Sequence, residues 1–257
     1  MPRLMPTDDD QSFNIPTATG TFVFSGVKLE KLGASEYTLV TLVVDESGTT
    51  YPFADKLLEM VKMVVKACQK NDRSEFLLFR LLAFSNQVTE VHGFKLLNEI
   101  DLNDYPEFNP SGTTALYNAS LDAVGATVEY AKHLDKKDYD VNGCIYILTD
   151  GLNNVPPVTP TMIKDKIEEI IKEETGLESL TTILIGLQDP QLQGDDMSDQ
   201  VIKELEAFQK EAGLTKFINA GDATETKLAH VAEWVSQSVS STSQIVGSGS
   251  PSQVLAF

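Results

Sequence analysis

The stretch Tyr37–Thr50, YTLVTLVVDESGTT, constrains this chain more than any other. Its first nine residues are rich in Val, Leu and Thr and contain no Gly or Pro. A run this short, β-branched and bounded by turn residues predicts a buried strand rather than a helix. Glu75–Phe84, Gly143–Thr149 and Leu180–Leu187 read the same way, and the first of these is almost continuously apolar, as parallel strands covered on both faces are. Shorter strands are expected at Thr21–Phe24 on an edge, at Gln87–His92 in hairpin geometry and at Thr215–Asn219.

Between these runs the period changes from strand to helix. Pro52 suits an early helical position, and Leu57, Leu58, Val61, Val64, Val65 and Cys68 follow at helical spacing. Further helices are expected from about Ala115 to Ala131, over Thr161–Thr175 with Gly176 as a stop, over Val201–Ala212 before Gly213, and over Glu225–Val239. Strands that alternate with helices imply an α/β fold. The expectation is a doubly wound, mostly parallel central sheet with helices on both faces and one antiparallel edge strand. Residues 1–19, with three prolines and the Asp8–Asp10 run, read as a flexible N-terminal arm. Residues 20–240 read as one domain, and the Ser/Gly-rich 241–257 as a disordered tail.

Charge narrows the partners. With 38 acidic against 20 basic residues the formal net charge is -18, which argues against nucleic acid, since phosphate binding needs a basic surface. No apolar run has bilayer-spanning length, and MPRLMPTDDDQSFNIP lacks the apolar core of a secretory signal, so no membrane is expected and the default location is cytoplasmic. Cys68 and Cys144 lack metal-type spacing and read as buried small hydrophobes. Trp234 reads as core, Asp195–Asp199 as a solvated acidic loop, and the three histidines receive no role.

The chemistry lies where the strands end. Asp45, Ser47 and Thr49 alternate along one tight loop at the carboxyl end of a central strand, where open α/β sheets place ligand sites. Thr113 or Thr114 closes a second loop, and Asp150 follows another strand. Two carboxylates and three hydroxyls, without His or Cys, form a hard-oxygen set suited to Mg²⁺, with Mn²⁺ or Ca²⁺ as alternatives, and not to zinc. Taken singly, Ser47, Thr49, Thr113 and Thr114 read equally well as turn or helix-cap residues, and Asp150-Gly151 as a turn.

In order along the chain, D45-E-S47-G-T49, then S-G-T-T114-A-L-Y-N-A119, then I-L-T-D150-G resemble the von Willebrand factor A-type domain and its metal-ion-dependent adhesion site. That family carries D-x-S-x-S, a threonine within G-G-T-x-L-Y-D-A, and T-D-G after a hydrophobic strand. The resemblance covers roughly residues 35–240 and implies a Rossmann-like fold. It also implies that Ser47, Thr49 and Thr114 supply hydroxyls to a metal that Asp45 and Asp150 bind directly or through water. One position on the metal would be left for water or for an Asp or Glu of a protein partner. Thr49 stands where the pattern has serine, and the second loop reads S-G-T-T in place of G-G-T; both keep their hydroxyl donors.

The expected function is therefore a non-enzymatic, metal-dependent protein-binding module. The resemblance further implies a subunit or adaptor within an intracellular complex, with an AAA+ ATPase or a larger assembly as partner. The alternative is a metal-dependent phosphatase of the haloacid dehalogenase type, although Ser47 replaces the second carboxylate of its D-x-D-x-T motif. A flavodoxin-like phosphate loop at Ser47–Thr50 fits the order of the later motifs poorly.

Overall fold

The computed structural model describes residues 3–18, 20–172, 176–189, 196–246 and 255–257. Its strands are β1 (Asp10–Thr17), β2 (Gly20–Val27), β3 (Glu36–Asp45), β4 (Leu77–Phe84), β5 (Val88–Leu96), β6 (Asp140–Thr149), β7 (Ser179–Gln188) and β8 (Lys216–Asp222). Its α-helices are α1 (Ala54–Gln69), α2 (Leu116–Asp135), α3 (Pro160–Lys172), α4 (Asp196–Glu211) and α5 (Glu225–Ser243). All the strands join one sheet in the order β1-β2-β5-β4-β3-β6-β7-β8. From β4 to β8 across the sheet, β4, β3, β6, β7 and β8 are parallel. The doubly wound α/β architecture expected from the alternating runs is what forms.

The β3 sequence shows why. Alternate residues of a strand point to opposite faces. Val40, Leu42 and Val44 pack on one face with Leu57, Val61 and Val64 of α1 and Val231 and Val235 of α5. Val43 packs on the other with Ala119, Ala123 and Val124 of α2 and Leu205 and Phe208 of α4. Each such aliphatic side chain contributes about 1.5–3 kcal/mol on burial. Thr41 points toward α2 as well. Its hydroxyl lies 3.2 Å from that of Thr127, which donates to the Ala123 carbonyl at 2.8 Å, so both hydroxyls are satisfied in the core. Trp234, Cys68 and Cys144 are buried as expected.

The winding also positions the site. From β3 the chain crosses through α1 to β4 on one side and later returns through α2 to β6 on the other. The two crossovers diverge at β3, leaving a crevice beyond the carboxyl ends of β3 and β6.

Several expectations change. The antiparallel edge is a hairpin rather than one strand: β1 pairs antiparallel with β2, and β2 runs alongside β5, which is itself antiparallel to β4. Eight residues of the arm assigned to residues 1–19, Asp10–Thr17, are therefore strand. Phe13 and Ile15 alternate inward along β1, and Phe13 stacks on Phe24 at 5.1 Å and meets the edge of Tyr130 at 5.4 Å. Pro16 masked this strand in the sequence, but proline is tolerated at a sheet edge.

At the other end, α5 runs on to Ser243, and residues 247–254 of the expected tail lie outside the described residues. Residues 255–257 are docked: Trp234 Nε1 donates to the Ala256 carbonyl at 2.9 Å, and Lys216 Nζ to that of Leu255 at 2.9 Å. The acidic stretch is also different from a loop. Asp196 and Asp199 occupy the first turn of α4, where carboxylates complement the helix dipole, while Asp195 lies outside the described residues.

Candidate metal centre

Asp45 is the last residue of β3 and is only 1% exposed. Its Oδ1 accepts the backbone N–H of Ser47 at 2.8 Å, and its Oδ2 accepts the hydroxyl of Thr149, the last residue of β6, at 2.5 Å. The first bond turns the chain sharply out of the strand into a 3-10 turn over Gly48–Phe53. Ser47 holds the capping position of that turn, yet its side chain makes no capping bond. Its Oγ lies 3.1 Å from Thr49 Oγ1, and the Thr49 hydroxyl donates to Asp150 Oδ1 at 2.8 Å. With the Thr49 proton committed to Asp150, Ser47 is the donor in the shorter-range pair.

The second loop separates Thr113 from Thr114, the threonine that the resemblance implies as a donor. Asn86 Oδ1 accepts both the backbone N–H of Thr113, at 2.6 Å, and its hydroxyl, at 2.9 Å. Thr113 is thereby tied down away from the centre. Thr114 instead donates its N–H to Asn154 Oδ1 at 2.7 Å and accepts the Asn154 N–H at its carbonyl at 3.1 Å. The N-terminus of α2 is served by Asn153, whose Oδ1 accepts the Tyr117 N–H at 3.1 Å, and the capping residue Ala115 has no hydroxyl to offer. The helix thus leaves the Thr114 hydroxyl free for other work.

That hydroxyl lies beside the Asp150-Gly151 turn, as does the hydroxyl of Thr49. A methyl group added at Gly151 would sit 3.6 Å from Thr114 Oγ1 and 3.9 Å from Thr49 Oγ1, so the two hydroxyls and the Asp150-Gly151 turn border one small space. The backbones of the first two loops are also joined, Ser111 N–H to the Glu46 carbonyl at 3.0 Å and Gly48 N–H to the Gly112 carbonyl at 3.3 Å. Asp45, Ser47, Thr49, Thr114 and Asp150 therefore meet at one end of the sheet.

The electrostatics of this cradle are unbalanced. Burial pushes the Asp45 carboxyl above its ordinary value, against the opposing bonds from Thr149 and Ser47. Asp150 is pushed up to about 7, chiefly by burial and then by the charge of Asp45, while the Thr49 bond pulls the other way. No lysine or arginine offsets either carboxylate among the described residues. Nor do the described residues hold a cluster of three or more His, Cys, Asp and Glu side chains able to bind a metal. The donor set is two carboxylates supplemented by hydroxyls, which suits a hard cation that keeps part of its water shell.

Sequence reasoning missed the residues that hold the donors in place: Glu46, Asn86, Thr149, Asn153 and Asn154. The adjacent asparagines after Asp150-Gly151 carried a signal, since Asn side chains commonly bond nearby backbone in turns. Thr149 stood in the T-D-G motif without a role being read for it, and Asn86 carried no signal, because its partner is distant in sequence. Beside the cradle lies a cavity of about 490 Å³ whose walls include Pro52, Leu187, Val201 and Asp150. Tyr51 and Met197 stand at it 75% and 71% exposed. No helix among the described residues is long and apolar enough to cross a membrane.

No family model and no curated protein sequence matches this chain significantly. Solved structures do resemble it. The pilus adhesin SpaC of Lactobacillus rhamnosus GG matches with a TM-score of 0.59 at 13% identity, over 91% of this chain and 35% of the adhesin. The PilB minor pilin of Streptococcus sanguinis matches with 0.53 at 12% identity, over 88% and 66%. Proximal thread matrix protein 1 from the mussel byssus matches with 0.52 at 17% identity, over 81% and 47%. The chain thus spans about a third of the adhesin and about half of the mussel protein. At these identities what is shared is the fold, a Rossmann-like α/β sheet wrapped by helices.

Proposed function

We propose that this protein is a von Willebrand factor A-type module that binds a divalent cation, and through it a carboxylate of a protein partner. One observation carries the reading. Three side-chain hydroxyls and two carboxylates from three separate loops meet at the carboxyl ends of β3 and β6, and neither Ser47 nor Thr114 is used as a helix cap. Ser47, Thr49 and Thr114 would hold the ion through their hydroxyl oxygens, and Asp45 and Asp150 directly or through water. When bound, the cation supplies a Lewis-acidic position that an Asp or Glu of the partner can fill. Mg²⁺ is the expected ion, with Mn²⁺ and Ca²⁺ as alternatives.

The chain's own residues then do the rest. Asp45, fixed by Ser47 and Thr149, keeps the first loop in a single conformation, and Asn86 and Asn154 orient the second. Such buried hydrogen-bonded supports are what keep metal ligands preorganised. The role is coordination rather than turnover, and the protein acts as a subunit or adaptor, with an AAA+ ATPase or a larger assembly as the partner class. The net charge of -18 favours protein over nucleic acid. The pilus adhesin and minor pilin set the same fold in surface appendages, so the fold is compatible with adhesive roles too.

Calorimetric titration of Mg²⁺ and Mn²⁺ into the wild type and Asp150→Ala tests the assignment. Saturable binding is expected in the wild type, with affinity at least about ten-fold weaker in the variant. Equal affinity in both would sink it. Capture of protein partners in Mg²⁺ and in EDTA then reads the recognition step, where an identical partner set in both conditions excludes metal-mediated binding.

A further inference from the structure

The residue between Asp45 and Ser47 connects the cradle to the start of the chain. Glu46 turns its side chain away from the loop hydroxyls and is almost fully buried. Its carboxylate accepts the backbone N–H of Asn109 and is ion-paired with the guanidinium of Arg3. Its own N–H donates to the Phe84 carbonyl at the end of β4, at 2.7 Å, and its carbonyl accepts the Ser111 N–H at 3.0 Å. Glu46 therefore clamps the first loop, the end of β4 and the loop that leads to Thr114.

Arg3 does not reach Glu46 as a loose surface side chain. The backbone N–H groups of Arg3 and Leu4 donate to the carbonyls of Glu90 and Val91 in β5, at 2.8 and 2.9 Å. β2 bonds β5 only farther along, at Phe94, so these two residues fill strand positions that β2 leaves open. Leu4 also packs against the core formed by α1, α5 and β3. The segment is thus fastened to the sheet by backbone bonds, by an apolar contact and by a partly buried charge pair.

We propose that Arg3–Leu4 is a strap whose docking sets the affinity of the metal cradle, with Arg3 as a positioning residue that acts through Glu46. The inference rests on the metal-binding reading of the site. A buried carboxylate that loses the cation paired with it must find water or another donor. Glu46 could do so only by moving, and the Asn109 and Ser111 bonds would move with it. Docking of the strap and binding of the ion then favour the same arrangement of both loops, so each strengthens the other reciprocally.

The test uses the full chain with Arg3→Gln, Arg3→Lys and Glu46→Gln. Mg²⁺ affinity is measured by calorimetry, and hydrogen exchange is followed at the Leu4, Asn109 and Ser111 amides in EDTA and in Mg²⁺. Arg3→Gln is expected to weaken Mg²⁺ binding about ten-fold and to speed exchange at Asn109 and Ser111 even in EDTA. Arg3→Lys, which keeps the charge, should recover part of both. Glu46→Gln should weaken binding similarly, with Arg3→Gln adding little on top of it, because the two residues act as one pair. Mg²⁺ should slow exchange at the Leu4 amide in the wild type.

Unchanged Mg²⁺ affinity in Arg3→Gln, beside a wild type that binds, overturns the strap and leaves the metal site standing. A wild type that binds no Mg²⁺ overturns the metal reading, and with it the affinity role given to the strap. Faster exchange at the loop amides in Arg3→Gln would then still show the mechanical link, and unchanged exchange would remove that as well.

Discussion

Replacing Asp150 with asparagine should stabilise the metal-free protein while removing its response to metal. The substitution keeps the shape of the side chain and an Oδ1 to accept the Thr49 hydroxyl, now at 2.8 Å, but removes a half-buried charge that faces Asp45. Burial and Asp45 together hold the Asp150 carboxyl at about 7 in place of its ordinary 3.8. A displacement of that size corresponds to about 4 kcal/mol as a ceiling, and partial contact with solvent reduces it to about 2–3 kcal/mol. The sign follows from linkage. A carboxyl whose pKa is raised by folding costs nothing below its unfolded value near 4; the cost grows as pH rises and is complete above pH 7. At pH 5.5 about half of it should remain.

In EDTA at pH 8, Asp150→Asn should therefore melt about 5–10 °C above the wild type, taking about 2–4 °C per kcal/mol for a chain of this size. The gap should shrink by roughly half at pH 5.5. Mg²⁺ at about a hundred times its Kd should raise the wild type by about 2.7 kcal/mol and leave the variant unmoved, so the order of stabilities narrows or inverts when metal is added. Differential scanning calorimetry in both buffers reads this directly. A variant no more stable than the wild type in EDTA at pH 8, or one that Mg²⁺ stabilises equally, would show that Asp150 is not an uncompensated carboxylate waiting for a cation.

Three other substitutions, at two positions, probe the loops. Thr49→Ser should retain Mg²⁺ affinity within about two-fold, whereas Thr49→Ala should lose at least about ten-fold in the same titration, since what matters at this position is the hydroxyl and not the methyl. Gly112→Ala should destabilise the fold by about 2 kcal/mol or more in urea unfolding, because Gly112 has φ of +76° and an added Cβ would lie 2.0 Å from Asn86 Oδ1; an unchanged midpoint would refute the role given to this turn.

The central strands and the carboxylates at their ends were legible because local signals decide them. β3 and β6 are apolar runs buried on both faces, and Asp45 and Asp150 follow directly from where those runs stop. β1 was not legible, since only Phe13 and Ile15 turn inward and its partner strand supplies the rest of the pattern. Arg80 was hidden for the opposite reason. It interrupts a run that otherwise predicts uniform burial, yet it is fully buried in β4, with Nε donating to Glu90 Oε2 at 3.0 Å and the rings of Phe22, Phe24 and Phe94 around its guanidinium. The motif register singled out Thr114, but the bonds that hold Thr113 and Thr114 apart come from Asn86 and Asn154, one far upstream and the other far downstream. Pairings across such distances leave no periodicity in the sequence.

The same geometry weighs against the phosphatase alternative. An aspartate that attacks phosphorus needs an oxygen free to approach it, and its leaving group needs an acid nearby. Asp45 has one oxygen held by the Ser47 N–H and the other by the Thr149 hydroxyl, and it is nearly inaccessible. The position two residues on, where an acid would act, is a serine whose hydroxyl is directed at Thr49. Each feature that disables attack helps to hold an ion. A carboxylate anchored at both oxygens fixes the loop that presents Ser47 and Thr49, and adjacent hydroxyls supply neutral oxygens that limit the charge repulsion between Asp45 and Asp150. A cation placed there would offset the charge that burial disfavours on both carboxylates. On the proposed reading, then, the same loop bonds that occupy Asp45 serve binding rather than turnover.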